Sequence, residues 1–356
     1  MNFSEFCERG YPVFLSMSMA YFLIIGTIII RYAIVSRTNP EKENQKKFFI
    51  NELLIGIIFI CLALSYPILF DNITPNFSIK AQFTFHLWDS MTVGSIIWII
   101  LIPIWRKQNQ TRKNVVTENQ WKKDIIDKFQ DNFKTDFIRK LSHFLYALLL
   151  LVFHFVFISV PFEGWDGYTS AAFMEIDFLI IFLWVLIPFE LLRLMKFDYL
   201  GKFAQDMGKI SVYPDELNTF TSAIPLLLSV FPFIYFGQPF LYAAVLIGTL
   251  SDSAASIVGK RFGKERKSRI LKSNNKKTLE GYIAGFFCTY IVVVLTNTLV
   301  PFQNITSFGV HILAFSAAVA FTIVDYKAKV ITDNILNSIV TGSVLISVWL
   351  CLYDQT

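Results

Sequence analysis

Charge is scarce in this chain. Only 17% of its 356 residues are Asp, Glu, Lys or Arg, while 54% are hydrophobic and the mean hydropathy is +0.51. That balance excludes an ordinary soluble domain of this length. Cysteine is equally sparse: Cys7, Cys61, Cys288 and Cys351 lie far apart without CxxC pairing, which points to neither a disulfide framework nor a cysteine metal site. There is no solenoid repeat, no low-complexity tract and no Gly-x-x-x-x-Gly-Lys-Ser/Thr loop of the kind that cradles nucleotide phosphates. No N-terminal cleavage pattern is expected either. Met1–Gly10 carries Glu5 and Glu8, and the first apolar run is already long enough to span a bilayer.

Long apolar runs, by contrast, are plentiful. They fall near 11–35, 48–70, 83–105, 141–160, 174–194, 219–236, 241–258, 281–300, 309–326 and 335–353, each about as long as a bilayer requires. An all-α, polytopic integral membrane bundle of about ten transmembrane helices is therefore expected. The runs at 219–236 and 241–258 are short enough to be tilted, broken or partly re-entrant.

Loop charge gives an orientation. Lys and Arg concentrate in alternate connections, at 36–47, 106–140, 195–218, 259–280 and 327–334. Of 32 basic residues only Arg9 and Lys80 fall on the other side. The positive-inside rule then places those five connections in the cytosol and both termini opposite. The net charge of +5 becomes a property of one membrane face, suited to anionic headgroups or nucleotide phosphates rather than to nucleic acid. An endoplasmic reticulum location is expected in a eukaryote, and a plasma-membrane one in a prokaryote.

Within the longest connection, Trp121, Ile125, Phe129, Phe133 and Phe137 recur every four residues between charged ones. The spacing predicts an amphipathic helix on the cytosolic membrane surface. A boundary near residue 115 would separate an accessory bundle of three helices (1–114) from a catalytic bundle (115–356).

One carboxylate stands out. Asp252 sits among Ser251, Ser253, Ala254, Ala255 and Ser256, about 9 Å from the helix end at Val258. Intramembrane carboxylates are costly, so this one is either paired with a structural Arg or holds a Mg²⁺ ion at the mouth of a pocket. A loop with nine Lys or Arg between Lys260 and Lys277 follows it directly. There Gly259, Lys260, Arg261, Gly263, Lys276, Lys277, Thr278, Glu280 and Gly281 suit a polyphosphate. Thr278 would cap the next helix, whose first amides favour an anion. The competing reading of this loop is topology alone. Arg139, Lys140 and His143 stand at the entry to the fourth span, where a basic pair can simply snorkel. Asp325 closes the ninth span, and Asp333-Asn334 opens the tenth. Glu190 and Arg193 have the spacing of a helical ion pair, and His86, His154 and His311 read as structural.

Taken together, Arg139-Lys140-x-x-His143, Asp252…Gly259-x-x-Phe-Gly263, Lys277-Thr-x-Glu280-Gly281 and Asp333-Asn334 resemble, in order, the polyprenol kinase family. That family comprises dolichol kinases, CTP-dependent diacylglycerol kinases and phytol kinases. The resemblance covers roughly 135–350 and shares its central motif with phosphatidate cytidylyltransferases. It implies an integral membrane kinase that uses CTP and a divalent cation to phosphorylate a lipid alcohol. Metal binding would fall to Asp252 and Asp325, and catalysis to Asp252, Asp333 and His143. Nucleotide binding would fall to Arg139, Lys140, the Gly259–Gly281 residues named above and Asn334. Ser251 stands where a glycine is usual, and Asp325 where a Glu is frequent. The His-Gly-Gly…Asp-Arg-x-Asp ending of cytidylyltransferases is missing, since His311 is followed by Ile-Leu-Ala. Two other expectations compete with the kinase: a CTP:phosphatidate-type cytidylyltransferase, and a transporter or lipid scaffold.

Overall fold

The computed structural model describes residues 2–37, 45–69, 73–111, 116–129, 133–263, 278–328 and 331–353. Every regular element among them is helical. The α-helices are α1 (Phe3–Arg37), α2 (Gln45–Leu69), α3 (Phe77–Thr111), α4 (Glu118–Lys128), α5 (Phe133–Ser159), α6 (Gly167–Met195), α7 (Lys202–Ser211) and α8 (Ala223–Val230). They continue with α9 (Gln238–Leu246), α10 (Asp252–Phe262), α11 (Leu279–Leu299), α12 (Ser307–Lys327) and α13 (Asp333–Tyr353). Helix is the expected outcome for apolar segments in lipid, because only internal hydrogen bonds can satisfy the backbone there.

Starts are set by side-chain caps. Thr117, Asp166, Thr278 and Thr306 each accept a hydrogen bond from an amide three residues on, opening α4, α6, α11 and α12. A cap of this kind contributes about 1 kcal/mol. Eight helices are long and apolar enough to cross a membrane, and two shorter apolar stretches lie at His143–Ser159 and Ala223–Phe236. The ten apolar runs are thus all helical, and the chain is a polytopic helical membrane bundle. The two short runs are indeed interrupted. A tight 3₁₀ turn at Phe231–Phe236 ends on Gly237, whose φ of 101° suits glycine. A π-turn at Ile247–Ser251 then joins α9 to α10.

The helices form two compact units, Met1–Phe129 with Val152–Pro225, and Gln130–Leu151 with Leu226–Thr356. In the first, α1 packs along α2 and α3, and α3 along α6. Glycines make the α1–α2 approach possible: a Cβ on Gly26 would stand 2.9 Å from the Gly56 carbonyl oxygen. Indole hydrogen bonds tie α3 to α6, with Trp98 Nε1 donating to the Trp184 carbonyl and Trp184 Nε1 to Ser95 Oγ, each at 3.0 Å. Glu190 and Arg193 form the expected pair at 2.6 Å, fully buried, with Arg193 also donating to the Leu217 carbonyl. This clasp fixes the chain after α7.

The amphipathic helix is shorter than its repeat suggests. α4 ends at Lys128, and Phe133 and Phe137 belong to α5. Trp121 and Ile125 do not face lipid: they pack with Phe197, Leu200, Ala204, Val212 and Leu217. Trp121 Nε1 also donates to the Gln205 carbonyl at 2.9 Å. It is α7 that turns apolar side chains outward, with Phe203, Met207 and Ile210 exposed at i, i+4 and i+7.

The second unit is built around α9, the π-turn and α10, the most enclosed span of the chain. α10 packs on α11, α11 on α12, α12 on α13, and α13 on α9. Packing groups α4, α6 and α7 with the first three helices, so the compact units do not divide at residue 115.

Candidate metal and phosphate site

The π-turn at Ile247–Ser251 delivers Asp252 to the first position of α10. An extra residue in the turn shifts the register of everything after it, which is why such turns recur at functional sites. Asp252 is buried, as is Asp325 near the end of α12, while Asp333 at the start of α13 is half-buried. One carboxylate oxygen from each of the three lies within 4.8 Å of the other two.

A lysine reaches the same place. Lys140, buried on α5, pairs through Nζ with Asp252 Oδ2. His143, also buried, follows one turn later on the same helix face. These groups all belong to the second unit. The chain therefore concentrates carboxylates and an ammonium where helix ends meet, at the level assigned to the cytosolic face by loop charge.

The glycines of the motif have a packing reason of their own. A Cβ on Gly281 would stand 2.7 Å from the Ala255 carbonyl oxygen, and one on Gly259 would stand 3.0 Å from Thr278 Oγ1. One on Gly263 would meet Thr278 Cγ2 at 2.4 Å. Small residues here let α10 and α11 touch backbone to backbone. Thr278 caps α11 as expected, accepting from the Gly281 amide at 3.2 Å. Lys260 and Arg261 occupy the exposed last turn of α10, and Glu280 is half-buried in the first turn of α11. Asn334 lies in the first turn of α13. Its amide is bonded to Asp333 Oδ1, and its carbonyl accepts from Ser229 Oγ at 3.2 Å. Lys276, Lys277 and the side chain of Arg139 lie outside the described residues.

Two buried groups went unnoticed in the sequence. Asn337 and Ser338 on α13 are 1% and 0% exposed. A stripe marks the first of them: Asp333, Asn337 and Thr341 recur at i, i+4 and i+8 in an otherwise apolar helix.

The donor set suits a hard divalent cation, which takes carboxylate oxygens, and the basic segment that follows Asp252 in the sequence suits phosphate. No curated protein and no solved structure matches the chain. A profile of the cytidylyltransferase family does match, over residues 131–346. That interval contains Lys140, His143, Asp252, Asp325 and Asp333. The chain belongs to the cytidylyltransferase family, and with its spans it is a CTP-related, lipid-modifying membrane enzyme.

Proposed function

We propose that the protein is a CTP-dependent lipid-alcohol kinase, transferring the γ-phosphoryl group to the hydroxyl of a polyprenol such as dolichol at the cytosolic membrane face. The observation that carries this reading is the convergence of Asp252, Asp325 and Asp333 within 4.8 Å, next to buried Lys140. Diacylglycerol and phytol present the same hydroxyl on an apolar tail and are alternative acceptors.

Asp252 and Asp325, the two buried carboxylates, are the residues that would hold Mg²⁺, which when bound supplies charge neutralisation for the triphosphate. Lys140, Lys260, Arg261 and Lys277, with Arg139, offset the negative charge on the transferred group and on departing CDP. Positioning and electrostatics of this kind account for most of the catalysis in phosphoryl transfer. The acceptor oxygen forms a bond to the γ-phosphorus, the bond from that phosphorus to the β-bridging oxygen breaks, and CDP leaves. The hydroxyl proton passes to Asp333, the least buried of the three and so the one that can return it to solvent. His143, buried one turn from Lys140, is the remaining candidate catalytic group on α5.

The family match favours one other reading, a CTP:phosphatidate-type cytidylyltransferase, in which the lipid phosphate attacks the α-phosphorus and pyrophosphate leaves. The missing His-Gly-Gly…Asp-Arg-x-Asp ending argues against it. Purified protein given CTP labelled at the α or the γ phosphate separates the two. The kinase puts γ label into the lipid, and α label there would defeat it.

A further inference from the structure

Below the three carboxylates, on the side facing the membrane interior, lie two polar side chains that nothing among the described residues satisfies. Asn337 follows Asp333 by one turn on the same face of α13. Ser338 lies against the π-turn: its Oγ is 2.5 Å from where a Cβ on Gly248 would stand, and Gly248 precedes Asp252 by one turn. Both are fully buried, and neither amide atom of Asn337 nor the Ser338 hydroxyl has a hydrogen-bond partner. Groups of this kind are expensive to bury unmatched, and native structures rarely leave them so without a ligand or water.

The chemistry of the pair is specific. A carboxamide and a hydroxyl each donate and accept, and neither carries charge. Their complement is a neutral group that also donates and accepts. A phosphate monoester only accepts and calls for cations, which this level of the site does not offer. We infer that Asn337 and Ser338 bind the hydroxyl of the acceptor lipid, holding its oxygen beneath the carboxylates with the tail left in the membrane. The absence of a side chain at Gly248 is what lets the Ser338 hydroxyl approach the π-turn so closely. This rests on the lipid-alcohol reading above and extends it to the residues that recognise the alcohol.

The test uses the full chain in phosphatidylcholine nanodiscs and a prenyl alcohol carrying a diazirine beside its hydroxyl. Illumination should label α13 or the Ile247–Ser251 turn. Unlabelled alcohol should compete, and its monophosphate should not. Asn337→Leu, which keeps the heavy-atom count and the branching but removes the amide oxygen and nitrogen, should cut labelling about tenfold, the worth of one or two hydrogen bonds. Ser338→Ala should do likewise and guards against a leucine variant that fails to fold, with CTP binding unchanged as the control for both. In turnover assays the same variants should raise the acceptor KM about tenfold and leave the CTP KM alone. Equal labelling of wild type and both variants would overturn the inference, the pair then holding only water, and would leave the kinase reading standing. Competition by the monophosphate in place of the alcohol would overturn both. Labelling that depends on Asn337 in a protein with no γ-phosphoryl transfer would uphold the alcohol site and sink the kinase.

Discussion

Lys140 and Asp252, 112 residues apart, form a buried ion pair at the centre of the candidate site. Under the metal-site proposal this ammonium is a tethered counter-ion, which neutralises Asp252 until a divalent cation takes its place. Breaking a buried pair from one side costs about 3–5 kcal/mol, because the remaining charge is left uncompensated. Lys140→Met should therefore fold less stably in EDTA than wild type. Mg²⁺ should return much of that loss and raise the variant's Tm more than the wild type's. Thermal unfolding in detergent with and without Mg²⁺ measures this. Equal Mg²⁺ shifts in the two proteins would show that Lys140 and the ion do not share Asp252.

The helices were legible in the sequence because bilayer length and loop charge are strong one-dimensional signals, and Asp252, Asp325 and Asp333 stood out singly as carboxylates in or beside apolar runs. Their convergence was not legible. Nothing in the periodicity of α10, α12 and α13 says which faces meet, and the π-turn before Asp252 reads as ordinary apolar helix. The stripe of Trp121 and Ile125 was seen correctly as amphipathic but assigned to lipid. An apolar face reads the same whether lipid or Phe197 and Leu200 cover it. Asn337 is visible in the sequence as a polar repeat after Asp333, but a single Asn in an apolar run is compatible with an ordinary span.

Asp252→Asn should lower turnover per folded molecule at least a hundredfold, since the amide keeps the volume and loses the charge; it also strands Lys140, so folded protein is counted separately. Asp325→Asn should behave alike if the two share one ion. Each activity is to be measured against Mg²⁺ concentration. Near-normal turnover of the Asp252 variant at ordinary Mg²⁺ would remove that residue from the metal site.

Gly281→Ala separates packing from phosphate binding. The added methyl would meet the Ala255 carbonyl at 2.7 Å, forcing α10 and α11 apart at a cost of about 1–3 kcal/mol. We expect a lowered Tm with a CTP KM within a few fold of wild type. A weakened CTP KM at unchanged Tm would show that the glycine serves the nucleotide directly.

Acid should loosen the docking of α4 on α7. Lys209 donates to Asp124 at 2.6 Å and Gln120 at 2.8 Å. These bonds, that from Lys209 foremost, hold the Asp124 carboxyl below its ordinary value. A depressed folded-state pKa means that the contribution is present above the unfolded value, about 3.9, and is lost as pH falls through the folded one. Hydrogen exchange of the α4 amides, taken relative to the intrinsic rate at each pH, should accelerate below about pH 4. In Asp124→Asn that acceleration should already be present at neutral pH and show no further change on acidification. A wild-type exchange profile flat through this range would show that the pair does not hold α4.

Removing residues 1–114 tests the division of labour. Asp252, Asp325, Asp333, Lys140 and His143 all lie in the second compact unit, so the chemical step should survive in a chain starting near residue 115. Stability should not. Trp184 of α6 would lose Ser95 and Trp98, its hydrogen-bond partners on α3. Asn109, which donates to the carbonyls of Asp198 and Leu200, would go too, loosening the segment that leads into α7. We expect turnover per folded molecule within about tenfold of the full chain, roughly 1.4 kcal/mol in the barrier. The Tm should be clearly lower and the preference among acceptor alcohols altered. The measurement is γ-phosphoryl transfer in lipid, normalised to CTP-binding protein, across several acceptors. A truncated chain that binds CTP normally yet transfers nothing to any acceptor would mean that the first three helices complete the active site, and the boundary at residue 115 would fall.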